Sequence, residues 1–497
     1  MMRTEAAGVG RAGPRAVTRA WWPLAGVAIL VFAAATITRS DADLWGHVRF
    51  GLDTLETHRL TAIDPYSFTQ DRPWINHEWL SEVQMAIAYA VAGPPGLALL
   101  KAMLAFGTFA LIWTSLRGAS HAARIVVVVL VFFGTIHMTS TLRPQLWTFL
   151  CLGILCRALV DPRSRIRRWL PLVFALWVNV HGGWIVGLGI LGVWTLVEAV
   201  QQPEMLRRSI PIVAGCGIAT LCNPYGWKLW IFMAQTVRMG RSIQEWQPLW
   251  GTPALNWLPW FAAAAATLWM SVSRSVSRYS AGAVLMMLAY ASIRVMRIES
   301  LFVESAAILL APLVIARWPV KTIQLPAQPS RYEPLAALVM FIVPVIGAGW
   351  IASWSLACLP IRGAWAPDAG PVRLLSGGGA GRLVTYFDWG EYAIWHLSPR
   401  LRVSMDGRRE TIYSDQRIAE HDAIVDGTQT GFDTLAQWKP EYVWLPAASA
   451  ATKRWLSAHG YRIELETSRS FVAVRGDLAR LPAPSPSPGP RAACFPG

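Results

Sequence analysis

Charge is what this sequence has least of. Only 15% of its 497 residues are Asp, Glu, Lys or Arg, against roughly a quarter in an ordinary soluble domain. Acids are the scarcer half, with 30 Asp and Glu against 45 Lys and Arg. That shortage excludes three soluble domains of roughly 150 residues each, the number that length alone implies. Cysteine is also sparse. The six give no disulfide framework: Cys151, Cys156, Cys216 and Cys222 lie in apolar runs, Cys358 ends another, and Cys494 is in the tail. None has a metal-ligand partner at a usual spacing. The basic N-terminus and the apolar run from Trp21 to Thr38 imitate a signal peptide, but no small-residue cleavage site closes the run. We therefore read a retained first helix.

What is present is apolar. Hydrophobic residues make up 54% of the chain and Trp occurs 27 times, as expected where rings sit at two membrane interfaces. A spanning helix needs about 20 apolar residues. Candidate spans are 21–38, 95–116, 123–139, 144–160, 169–181, 184–200, 209–223, 257–273, 279–296, 300–317 and 333–357. With the basic N-terminus inside, the Arg-rich links 117–124, 157–168, 207–208, 274–278 and 317–331 all fall inside too. The net charge of +15 is thus topology, and nucleic acid is not an expected partner.

The expectation is an all-α multi-pass membrane bundle of about eleven transmembrane helices, with a small extracytoplasmic α/β domain at the C-terminus. Residues 1–20 form a cytoplasmic tail and 21–358 the membrane domain, with a large first outer loop at 39–94. Within that loop, Glu78–Val91 is an amphipathic helix lying on the membrane, with Trp79, Leu80, Val83, Ile87 and Val91 on one face. Residues 359–476 alternate strand and helix signals. The segment 477–497, rich in Pro and Ser, is expected to be a disordered tail.

Topology gathers unusual polar residues on the outer side. Asp41 and Asp43 open the first loop, with His47 one helical turn on. A carboxylate there deprotonates an acceptor or holds a divalent cation, magnesium or manganese; equally, Asp41 caps a helix and Asp43 and His47 are merely solvated. His77 and Glu78 sit where the amphipathic helix starts, and a capping role competes with a functional one. Asn179 and His181 end the fifth span, where polar groups are costly without partners. Glu245 stands in a later outer loop. Arg294 and Arg297 lie at the outer end of the ninth span; Arg suits phosphate because its planar fork binds two oxygens, and snorkelling is the competing reading. In the outer domain, Asp388 and Trp389 follow one strand and Asp406-Gly407 another, where α/β folds place ligands and where turns also favour Asp-Gly.

Four stretches, in order, resemble the GT-C glycosyltransferases, and most closely the oligosaccharyltransferase catalytic subunit. They are Asp43-Leu-Trp-Gly-His47-Val-Arg49 with Asp64-Pro65-Tyr66, then Ser242-Ile-Gln-Glu245, then Arg294-x-x-Arg297, then Phe387-Asp388-Trp389-Gly390-Glu391-Tyr392 with Asp406-Gly407. The resemblance implies a divergent bacterial membrane transferase that moves a sugar from a polyprenyl-phosphate carrier to an extracytoplasmic acceptor. Asp43, Asp41 and Glu245 are then catalytic, with Asp43 a metal ligand. His47, His77, Glu78, Asn179, His181, Arg294, Arg297, Asp388 and Trp389 bind substrate. The chain departs from the family in two places. The loop from His137 to Arg143 has no acid where the family carries two, and Tyr386 and Phe387 replace a pair of tryptophans. The missing acids motivate a second reading, a carrier or assembly protein that binds lipid-linked glycans without chemistry. The Arg- and Ala-rich composition points to a GC-rich bacterium and hence to its inner membrane and undecaprenyl phosphate.

Overall fold

The computed structural model describes residues 21–161, 165–238, 246–251, 257–271, 276–320, 333–483 and 493–497. Each predicted span coincides with a helix. The first is α1 (Trp21–Ala35), and the outer loop then holds α2 (Leu44–Thr57). The long α3 (Trp79–Ser115) is followed by α4 (His121–Thr139), α5 (Gln145–Val160), α6 (Leu170–Val180), α7 (Trp184–Gln201) and α8 (Pro203–Ala219). After α9 (Lys228–Arg238) come α10 (Trp257–Ser271), α11 (Val276–Arg294), α12 (Glu299–Leu309), α13 (Ala311–Arg317) and α14 (Glu333–Ser355).

Four of these helices are long and apolar enough to cross a bilayer alone, and α12 with α13, bent by 49° at Leu310-Ala311-Pro312, makes a fifth. The remaining predicted spans are shorter helices, so the count of eleven crossings stays an expectation. The outward faces are as apolar as the packed ones: Val343, Ile346 and Trp350 on α14 are 62%, 66% and 70% exposed. Such surfaces are stable only against lipid.

The long α3 is two helices. Gly93 breaks it at φ 61°, ψ −148°, a conformation closed to residues with a Cβ, and Pro94-Pro95 start the second part. The first part is the predicted amphipathic helix. Its Ile87 and Val91 are 47% and 81% exposed, whereas Ser81, Glu82 and Met85 are buried.

The outer domain opens with α15 (Ala369–Ser376) and carries five strands. They are β1 (Gly381–Thr385), β2 (Leu401–Val403), β3 (Tyr442–Pro446), β4 (Tyr461–Glu466) and β5 (Ser470–Arg475), in the order β2-β1-β3-β5-β4. The first three are mutually parallel and the last two antiparallel. Between them run α16 (Gly390–Leu397), α17 (Asp415–Asp426), α18 (Gln429–Trp438) and α19 (Ala450–Ala458); α15 and α18 were not foreseen from sequence.

The outer loop and the outer domain interlock. Val403 donates to the Tyr66 carbonyl at 2.9 Å and Phe68 donates to the Val403 carbonyl at 3.1 Å, so the loop adds a stretch of strand beside β2. Arg408 reaches the loop from beyond β2, pairing with Asp64 at 2.8 Å and Asp406 at 2.7 Å. The rings of Phe50, Tyr66 and Trp74 lie 4.6–5.3 Å from its guanidinium carbon. Asp64 also accepts the amides of Tyr66 and Ser67, which makes it the turn former the sequence implied.

The cysteine reading is corrected. Cys358 and Cys494 are joined in a disulfide across 136 residues of sequence. Residues 493–497, expected within a disordered tail, pack instead at the junction of bundle and outer domain. Phe495 inserts among Trp45, Tyr89 and Trp395, and the Pro496 carbonyl accepts from Trp45 Nε1 at 2.7 Å. No spacing rule pairs cysteines so far apart, which is why the bridge was missed.

Candidate functional site

Asp43 occupies the N-cap position of α2 and makes no capping bond with its side chain. Its carboxylate lies 3.2 Å from Arg143 Nη2, and Arg143 Nε contacts Asp41 as well. Arg143 follows α4, in the loop that lacks the family's acids. The sequence reading passed over it because only carboxylates were sought there. Asp41 Oδ1 is buried and has no hydrogen-bond partner among the described residues.

One turn along α2, His47 Nδ1 meets Glu82 Oε1 at 3.3 Å, and Asn76 Nδ2 donates to the other oxygen of Glu82. Burial alone would lower the imidazole, but the hydrogen bond and charge of Glu82, with Glu78 and Asp43 nearby, outweigh it and raise His47 to about 9. Glu82, unremarked in sequence, is inward because it lies opposite the apolar stripe of its helix.

Glu78 Oε1 sits 3.6 Å from both His77 Nε2 and His181 Nε2. Burial would raise its carboxyl, yet His77, His181, His47 and Arg297 together hold it below the usual value. At His181, Nδ1 takes the Gly183 amide at 3.1 Å and the Thr148 hydroxyl at 2.7 Å, while Trp177 Nε1 donates to that same hydroxyl. Nδ1 is therefore an acceptor, and Nε2 is the nitrogen turned toward Glu78. Arg297 closes the string, 3.3 Å from His181 Nε2 and donating to Gln145 Oε1 at 3.0 Å.

The remaining expectations divide. Arg294 is exposed, away from this string, and only Arg297 joins it. Asn179 spends its groups on the fold, accepting from Trp79 Nε1 and donating to the carbonyls of Ala175 and Cys222. Trp389 is a core residue, stacked on Trp444 and donating to the Trp365 carbonyl. Asp388 stands near Asp43; burial, then the charge of Asp43, raise it to about 6 against Arg409 and Arg143. Glu245 lies outside the described residues.

The outer domain adds a residue not singled out from sequence. Glu391, at the start of α16 and 3% exposed, accepts the Gly46 amide of α2 at 3.0 Å. Burial, with Asp43, Asp406 and Glu82 close by, pushes its carboxyl well above the carboxylate range. Its signal was the motif itself, one position beyond Asp388-Trp389-Gly390.

A divalent cation fits this donor set poorly. Among the described residues no three His, Cys, Asp or Glu side chains converge as metal ligands. Asp43, the expected ligand, faces the guanidinium of Arg143, a positive charge already in place.

No protein-family profile and no curated protein sequence matches the chain. Solved structures do match. The archaeal oligosaccharyltransferase AglB from Archaeoglobus fulgidus, in complex with an inhibitory peptide and a dolichol-phosphate, aligns with TM-score 0.56 and 11% identity over 92% of this chain and 75% of that one. ArnT from Cupriavidus metallidurans in the apo state aligns with TM-score 0.55 and 12% identity over 92% of this chain and 98% of that one. Its form bound to undecaprenyl phosphate gives 0.50 and 11%, over 93% and 98%. The mycobacterial arabinofuranosyltransferase AftD gives 0.52 and 14%, over 93% of this chain and 40% of that one. At 11–14% identity these likenesses show the fold alone, which this chain shares with the oligosaccharyltransferase, ArnT and AftD structures.

Proposed function

We propose that this protein transfers a sugar from a polyprenyl-phosphate carrier to an acceptor outside a bacterial inner membrane. The observation that carries the reading is a cluster of paired polar groups, Asp43 with Arg143, His47 with Glu82, and Glu78 with His181 beside Arg297, brought together from the first loop and the ends of apolar helices. Asp43 is the base. It takes the proton of the acceptor nucleophile as the new bond to the anomeric carbon forms and the carbon–oxygen bond to phosphate breaks. The carrier phosphate leaves with the bonding electrons, and Arg297, with His77 and His181 beside it, holds the charge that develops. Arg143 pairs with Asp43 and aims it. Asp41, which contacts Arg143 Nε, helps fix that guanidinium. No step is routed through a cation, because among the described residues no three ligands for one converge.

The test uses the carrier alone as probe. Binding of undecaprenyl phosphate to the full chain in nanodiscs should weaken roughly 10- to 100-fold in Arg297→Met and stay unchanged in Asp43→Asn. A strain lacking the gene should accumulate carrier-linked sugar, cleared by the wild type and not by Asp43→Asn. Full clearance by Asp43→Asn would remove the base from the mechanism. Binding of the carrier with no accumulation in the deleted strain would favour the non-catalytic glycan-handling reading.

A further inference from the structure

The first turn of a helix leaves backbone amides without partners, and an Asp at the N-cap normally bends back to accept one. Asp43 has that position and does not do so. The amide of Gly46, the third residue of the helix, is instead taken by Glu391 Oε2 at 3.0 Å, 345 residues away in the outer domain. We propose that Glu391 is a positioning residue for the transfer reaction: it caps α2 from the outer domain and so leaves the Asp43 carboxylate turned toward Arg143 and the substrate.

Two glycines show how closely the parts are fitted. A Cβ on Gly46 would run into the Glu391 carboxyl. One on Gly407 would stand 2.5 Å from Asp43 Oδ1 and 2.6 Å from Glu391 Oε1, so the Asp-Gly turn after β2 passes directly beside both acids. Glu391 itself is fixed at the start of α16, behind the stacked Trp389. Were Asp43 to cap its own helix, its carboxylate would be spent on the backbone and be a poorer base. A neutral, buried carboxyl in the cap avoids placing a second negative charge against Asp43 and Asp406. The outer domain is then part of the reaction centre, and Glu391 acts there by holding α2.

This inference rests on Asp43 being the base, and the experiment separates the two claims. Glu391→Gln keeps an oxygen to accept the Gly46 amide, whereas Glu391→Leu keeps the bulk and loses the acceptor. Hydrogen–deuterium exchange on the purified full chain reports the cap directly. Amides of 44–47 should exchange roughly fivefold faster in the Leu variant and near the wild-type rate in the Gln variant. In the deleted strain, Gln should clear most of the carrier-linked sugar, while Leu should fall by about a hundredfold, the effect of a displaced catalytic group. Gly407→Ala, which forces the two acids apart from the side, should resemble Leu. Unchanged exchange in Glu391→Leu overturns the cap. Altered exchange with full clearance overturns its role in positioning. Loss of clearance in Gln equal to that in Leu, with the cap intact, means that the acid itself reacts and also overturns the proposal. If deletion causes no accumulation at all, the transferase reading fails, and the cap is then judged on exchange alone.

Discussion

At the residue scale, the site is governed by which charges are compensated. His47 is held up at about 9, above the ordinary 6.5 of an imidazole, so folding favours its protonated form. That stabilisation is complete below about pH 6.5 and is lost as pH rises through 9. The thermal midpoint of the wild type should therefore fall relative to His47→Gln between about pH 6.5 and 9; parallel curves would show that the pair with Glu82 adds nothing. Arg294 and Arg297 make a second contrast. Three residues apart in a short apolar stretch, they are indistinguishable by sequence, yet only Arg297 meets His181 and Gln145. Arg294→Met should leave undecaprenyl-phosphate binding within about twofold of wild type, against the larger loss expected for Arg297→Met. Equal losses would mean that snorkelling was the wrong reading for Arg294.

At the scale of elements, the outer loop is held by the domain that follows the bundle. Arg408 is buried between Asp64 and Asp406 and boxed by three rings, and removing its charge leaves two buried carboxylates facing each other. Arg408→Met should cost about 3–5 kcal/mol of stability, measured by thermal or denaturant unfolding in detergent. A loss below about 1 kcal/mol would mean that the loop docks by other means. Gly93 is the matching device within the membrane domain. It turns the surface helix into the spanning one, and Gly93→Ala should cost about 1–3 kcal/mol through backbone strain alone. The sequence ends the amphipathic helix at 91 and starts the next span at 95, which brackets the observed break at Gly93. The strands of the outer domain were legible as short apolar runs bounded by turn residues, and the runs of β3 and β5 are buried almost throughout. Helix α18 was not, because its short amphipathic pattern, Gln429–Trp438, follows α17 after only two residues and reads as its continuation or as loop.

At the scale of the whole molecule, the disulfide closes a covalent loop that begins just after the last spanning helix and takes in the outer domain. Of the six cysteines, four are free, so unfolding without reductant should expose four thiols to maleimide and unfolding with it six. Six in both states would place this end of the chain in a reducing compartment and reverse the topology. Composition and periodicity by themselves determined that the chain lives in lipid, where its helices lie, and that a small α/β domain follows. These are set by local patterns of apolar and charged residues, and local patterns are what a sequence displays. Tertiary structure alone decided that Arg143 stands opposite the two acids, that Glu391 caps a helix 345 residues away, that Arg297 and not Arg294 joins the site, and that Cys494 returns to Cys358. Each of these is a long-range contact between single polar groups. One buried hydrogen bond or ion pair leaves no periodic trace in the chain, and its partner is fixed only when the helices have packed.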